Sequence, residues 1–167
     1  MKRTYLRLIG ATIILVFLAA CGLSMATYQG NGFTIKHPQD WTASTSDQTK
    51  LVTISHANRE LRSIDGIITI QGQQLDNNPA NAVISANEAS LRANSLNQNF
   101  QSESVTISGE KGVLWKYDQT TADKKTIYRQ GMFAKGGILY TITAAAEPSM
   151  TNLSDIEDAI KSFTLTK

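Results

Sequence analysis

From Phe33 onward the chain alternates apolar and polar residues in short runs, and longer patterns break that alternation only twice. A period of two puts successive side chains on opposite faces of a strand, so each run buries a face only against a shared core. "FTIKH" sets Phe33, Ile35 and His37 on one side, and Pro38, which cannot donate to a ladder, stops it. "KLVTISH" and the Ile-rich "SIDGIITIQGQ" read as the next two strands, and "ESVTISG", "GVLWKYDQT", "KTIYRQGMFAK" and "GILYTITAAA" as four more. Val113, Trp115 and Tyr117 share a face. So do Ile138, Tyr140 and Ile142, with Thr141 and Thr143 opposite. Gly136-Gly137 is a two-residue hairpin signal, and "GEKG" at 109–112 reads as a turn.

The two breaks have helical spacing. In "DNNPANAVISANEASLRANSLNQNF", Asn78 is placed to cap and Pro79 to take the first helical position. Ala80, Ile84 and Leu91, with Ala93 or Leu96, supply the apolar stripe, though several Asn and Ser residues make the segment a modest helix former. In "SDIEDAIKSF", Ser154 and Glu157 match a capping box, and Ile156, Ala159, Ile160 and Phe163 recur at helical spacing. Strands in near succession, interrupted by one long helix, favour an antiparallel sheet. The expected fold class is α+β: a central antiparallel sheet of about six to seven strands sandwiched by the long middle helix and the C-terminal helix.

The N-terminus constrains location. "MKRTYLR" carries Lys2, Arg3 and Arg7 and no acid, and Leu8–Ala20 is almost purely apolar. A charged start, a core of roughly 7–15 apolar residues and a small-residue end describe a secretory signal peptide over 1–20. The run is shorter than the roughly 20 residues a spanning helix needs. Its last residues, Leu18-Ala19-Ala20-Cys21 followed by Gly22, resemble the bacterial lipoprotein signal, or lipobox. That resemblance implies cleavage between Ala20 and Cys21, a thioether-linked diacylglycerol on Cys21 and an acylated amine. Two or three acyl chains suffice for stable anchoring. The competing reading is an uncleaved signal anchor in which Cys21 merely packs. On the lipobox reading, residues 21–32 are a lipidated tether, reaching roughly 35 Å when extended, and 33–167 are one domain. Gly22, where an Asp favours inner-membrane retention, points to the periplasmic face of an outer membrane, or in a cell without one to the outer face of the cytoplasmic membrane.

Cleavage changes the charge. The precursor is +2, but three of its 16 bases precede Cys21 and all 14 acids follow it. Thirteen bases against 14 acids leave −1, with no clustered basic face for nucleic acid. With the single cysteine lipidated, no thiol remains for a disulfide or a Cys–metal site. No cofactor is expected beyond the covalent lipid.

Three stretches resemble the PsbP-like domains. "GFTIKHPQDW" is similar to their start, "GVLWKYDQTTADKKTIYRQGMFAKGG" to their central hairpins, and "GILYTIT" with the acidic terminal helix and "SF" to their end. The likeness covers nearly all of 32–167. Related domains include the extrinsic PsbP proteins of photosystem II, a Ran-binding eukaryotic branch, bacterial DcrB-like lipoproteins and effector-chaperone relatives. The resemblance implies a helix-sandwiched antiparallel sheet and members that bind partners without doing chemistry. It carries no residue-by-residue site across.

Individual residues add little chemistry. His37 and His56, with no nearby Cys or paired acid, read as structural or exposed and make no zinc pattern. Asp155, Glu157 and Asp158 read as a solvated helix start, Lys116 and Arg129 as exposed strand charges, and Asp65 and Asp76 as meeting only through tertiary folding. No nucleophile elbow, phosphate loop or metal pattern is present, so no enzyme is expected. Trp41 and Trp115 read as core residues, with partner binding as the alternative for each. The expected function is a non-enzymatic protein-binding or assembly module of the cell envelope. The alternative is a carrier or sensor of a small apolar ligand held between sheet and helix.

Overall fold

The structure, a computed structural model, describes residues 24–45, 50–58, 63–149 and 153–166. The expected signal peptide over 1–20 and the expected lipidation site Cys21 lie outside the described residues. Met25–Gly30, expected within the tether, instead form the first strand, β1. It pairs antiparallel with β2, Phe33–Pro38, from Met25 opposite Pro38 to Gly30 opposite Phe33. Met25 and Tyr28 pack against the core, so this segment gains both a ladder and apolar contacts that a free tether lacks.

Seven strands build the main sheet: β3 (Thr42–Ser44), β4 (Lys50–Asn58), β5 (Ser63–Gln74), β6 (Asn97–Ile107), β7 (Glu110–Thr121), β8 (Lys124–Lys135) and β9 (Ile138–Ala146). Their order is β3-β4-β5-β9-β8-β7-β6, every pair antiparallel. Helix α1, Ala80–Ala93, carries the chain from β5 to the far edge strand β6. Helix α2 is Leu153–Lys161, and β10, Thr164–Leu165, completes a small sheet β1-β2-β10.

Three hairpins turn on consecutive positive-φ residues: Ser108-Gly109, Ala122-Asp123 and Gly136-Gly137. Such turns match the right-handed twist of the strands they join. "GEKG" is therefore only partly a turn, because Glu110, Lys111 and Gly112 already belong to β7. Pro79 stands one place earlier than expected. Its ψ of 127° is extended and its carbonyl accepts the first helical bonds, from Ala82 and Val83, so it occupies the cap position in place of Asn78. Leu96 lies beyond the helix and is exposed.

The main sheet is covered on both faces. The small sheet and α2 pack on one, burying Phe33, Ile35, Ile54, Ile70, Leu114, Phe133 and Ile142 with Ile156, Ile160 and Phe163. A Cβ on Gly131 would overlap Ile160, so the missing side chain is what lets α2 sit down on β8. On the other face Val83, Ile84 and Leu91 of α1 pack against Trp115, Met132 and Leu139.

Charge fixes α2. Arg129 is buried, and its Nε–H donates to Glu157 Oε1 at 3.1 Å, while Lys116 Nζ donates to Glu157 Oε2 at 2.9 Å. Lys116 and Arg129 are thus not free surface charges. Glu157 belongs to no solvated helix face, and its oxygens bind strands β7 and β8 in place of a capping box. Alternation along a strand cannot reveal this, since it does not say which face a helix will cover. Burial alone would raise the Glu157 carboxyl's pKa. The hydrogen bond and charge of Lys116, followed by those of Arg129, outweigh burial and hold it below the ordinary 4.5. Lys116 is held above the ordinary 10.5, chiefly by Glu157.

The stability from a depressed carboxyl is present above its unfolded pKa and lost as pH falls through the folded one. The stability from a raised lysine is present below its unfolded pKa and lost as pH rises through the folded one. Chemical denaturation is therefore expected to show a stability plateau between these limits and a decline below about pH 4.5. Glu157→Gln should lower the plateau by about 1.5–3 kcal/mol and flatten the acid limb. An unchanged acid limb would remove Glu157 from this role.

Candidate functional site

Strand direction sorts the loops to two ends. At the entry end, the Gln39 N–H donates to the Ser24 carbonyl at 2.8 Å, so the chain joins the fold beside Asp40 and Trp41. Trp41 rests on Gly66, where a Cβ would strike its indole, and Gly66 pairs with both His56 and Ala146. At the opposite end lie the Asn31-Gly32 turn, Gln74 and the Gly136-Gly137 turn.

The opposite end holds a crevice of about 280 Å³ between the two sheets, lined by Asn31, Gly32, Phe33, Gly72, Gln74, Ile138, Tyr140 and Leu165. Gly32 takes a φ of 81°, which turns β1 into β2 and leaves no side chain over the opening. Aromatic rings back it: Phe33 stacks on Phe163 with centroids 5.4 Å apart, and Phe133 on Tyr140 at 5.1 Å. Asn31 and Gln74 supply polar groups beside an apolar floor. This arrangement suits an apolar group presented by something that also needs hydrogen bonds at the rim. Its lining comes from β1–β2, β5, β9 and β10, segments far apart in the chain.

The entry end holds a titratable cluster. His56 Nδ1 lies 2.7 Å from Asp65 Oδ1, and His56 Nε2 lies 3.5 Å from Asp40 Oδ2. Asp65 is buried, with its side chain 2% exposed, whereas that of Asp40 is 57% exposed. The second Asp65 oxygen, Oδ2, is buried and takes no hydrogen bond from a described residue. The register shift between His56 and Ala57 brings His56 beside Asp65 rather than directly across from it, which strand periodicity cannot foresee. Its Nδ1 contact to Asp65 ties β4 to β5, while Nε2 points toward the exposed Asp40. Asp76 is at the other end of β5, so it does not meet Asp65.

The other singled-out residues are structural. His37 is buried and donates through Nδ1 to the Pro38 carbonyl at 2.8 Å. Trp41 is 4% exposed and Trp115 is 0% exposed, which is the core reading for both. Trp115 Nε1–H donates to Glu88 Oε2 at 3.1 Å, and Glu88 also accepts from Ser102 Oγ and Arg92. The bond from Arg92, ahead of the other contacts, holds the Glu88 carboxyl below its ordinary range. Between α1 and the sheet, where an apolar ligand was expected on the carrier reading, the partly buried Val83, Ile84 and Leu91 pack against Trp115, Met132 and Leu139. Among the described residues, no three His, Cys, Asp or Glu side chains are grouped to hold a metal ion. No helix among them is long and apolar enough to cross a membrane.

No family model matches the chain. No curated protein matches it either. Solved structures do. LpqN, involved in cell envelope biogenesis of Mycobacterium tuberculosis, is 15% identical, with 86% of this chain and 91% of that one covered and a TM-score of 0.64. CyanoP, the cyanobacterial PsbP of Synechocystis sp. PCC 6803, is 17% identical, with 89% and 98% covered and a TM-score of 0.56. A protein of Bacteroides thetaiotaomicron is 12% identical with a TM-score of 0.54; 81% of this chain is covered, but it spans only 46% of that protein. The fold is PsbP-like. At these identities the likeness carries architecture and no site.

The cluster at the entry end gives an ordering for stability. His56→Ala leaves the buried Asp65 carboxyl without a partner on either oxygen and is expected to cost about 1–3 kcal/mol. Asp40→Asn, at the exposed end of the contact, should change stability by less than about 0.5 kcal/mol. Urea denaturation of both variants measures the difference, and equal effects would contradict the geometry.

Proposed function

We propose that this chain is a lipid-anchored, extracytoplasmic protein of the bacterial cell envelope that binds a protein partner through the inter-sheet crevice and catalyses no reaction. The observation that carries the reading is the character of that crevice. It is about 280 Å³, open to solvent, and mixes an apolar floor with polar groups at its edge. An apolar pocket with amides at its rim suits one or two anchor side chains of a partner, the kind of contact that dominates interface energetics. Support for the setting comes from the lipobox-like ending at Cys21 and from the fold shared with LpqN, which is involved in cell envelope biogenesis. The non-enzymatic reading rests on His56, whose two nitrogens both face carboxylates.

Two experiments test this. Cys21→Ser should abolish metabolic lipid labelling and membrane retention, and retained labelling would overturn the anchor. A photo-crosslinking residue placed at Ile138 or Leu165 should capture one protein in stoichiometric yield, while one at Lys111, on the β6–β7 hairpin, should not. Ile138→Glu should weaken that association at least about tenfold, about 1.4 kcal/mol, with an unchanged circular dichroism spectrum. A small apolar molecule in native mass spectra, displaced by Ile138→Glu, would replace the protein partner with the carrier reading.

A further inference from the structure

We infer that the entry end of the domain is a membrane-contact face, and that a pocket there, lined in part by charged side chains, seats the headgroup of an ethanolamine phospholipid. This rests on the lipidation of Cys21 proposed above. Because β1 begins at Met25 and Ser24 is already tied to Gln39, only three peptide steps separate Cys21 from the fold. Three residues reach about 10 Å at most. Acyl chains on Cys21 therefore bring this end, and no other, against the lipid headgroups.

The pocket, of about 220 Å³, lies on the Asp65 side of the same end. Asp65 contacts His56, His56 faces Asp40, and Asp40 follows the Gln39 that holds Ser24. A small residue, Ala145, leaves its floor low. Tyr128 forms a wall held in place by stacking on Tyr117, with ring centroids 5.1 Å apart and planes 4° from parallel. Thr126 adds a hydroxyl, and Lys124 and Glu147 form an ion pair at the lining. The Glu147 N–H donates to the Asp65 carbonyl at 3.0 Å, which fixes that side of the pocket to β5.

This is a site for a small molecule carrying both charges. Lys124 offers a cation to a phosphate, and Glu147 offers an acceptor to an ammonium, with Asp65 and its unpartnered oxygen behind it. The Lys124–Glu147 pair is half-exposed, and exposed pairs contribute little, so opening it costs little while an inserted zwitterion replaces one pair with two. The neighbouring Lys125 is engaged by Asp118 at 2.9 Å. The hairpin's lysines are thus charge-balanced, which favours a zwitterionic headgroup over an anionic one. A primary ammonium can donate to Glu147, whereas a choline nitrogen has no N–H to donate.

The test is a titration of the full chain, held in detergent micelles, with soluble glycerophosphoethanolamine. Amide resonances of Gly66, Thr126 and Ala145 should shift saturably, with millimolar affinity. Lys124→Ala should weaken binding about tenfold, and Lys125→Ala should leave it unchanged. Glycerophosphocholine should bind more weakly. No saturable shift, or an unaltered affinity in Lys124→Ala, overturns the pocket, and equal binding of free alanine overturns the lipid as its source. The probe is soluble, so the two readings fail separately. Binding of the probe by the Cys21→Ser chain supports the pocket whatever the anchor, a mature chain recovered from membranes without lipid on Cys21 overturns the anchoring, and a lipidated chain that ignores the probe overturns the pocket alone.

Discussion

Glu157 is the contact on which the far half of the structure depends. Its carboxylate takes one hydrogen bond from β7 and one from β8, and so sets α2 at a fixed height and rotation over the sheet. That seating carries Phe163 into the ring cluster with Phe33, Phe133 and Tyr140. Two residues later the chain is positioned to pair with β2, and Leu165 becomes one lip of the crevice. A carboxylate at the edge of the helix's apolar stripe is the anchor. It works because Lys116 and Arg129 of the sheet meet it and because Gly131 lets the helix come close.

Much of this architecture is legible in the amino-acid sequence. Strands β2, β5, β7, β8 and β9 carry clean alternation, and the Gly136-Gly137 turn announces its own hairpin. What escapes is what depends on neighbours. β1 is short, polar in composition and stabilised mostly by the edge it completes, so nothing in "MATYQG" separates it from a tether. Lys116 and Arg129 alternate like exposed residues, and only the docking of α2 covers Arg129 and part of Lys116. The crevice draws its lining from residues 31 to 165, a set that no local window could assemble.

The PsbP-like fold accounts for the frame and leaves the surfaces open. LpqN and CyanoP share the frame at 15% and 17% identity, where side chains at any particular position are nearly free to differ. The faces of the main sheet are largely committed to packing, which leaves the two ends as its open surfaces. One end is lined by aromatics and aliphatics, and the other carries Asp65, Lys124 and Glu147.

Edge strand β6 has a further consequence. Its ladder with β7 shifts register between Gln98 and Gln101, Asn99 adopts a φ of 56°, and most of its side chains are polar and exposed. The opposite edge, β3, is only three residues long. Interrupted or very short edges make poor templates for another strand. If the proposed anchor confines copies to a surface, they collide in two dimensions with edges far more often aligned than in free solution. The irregularity of β6 then guards against copies zipping edge to edge into a continuous sheet.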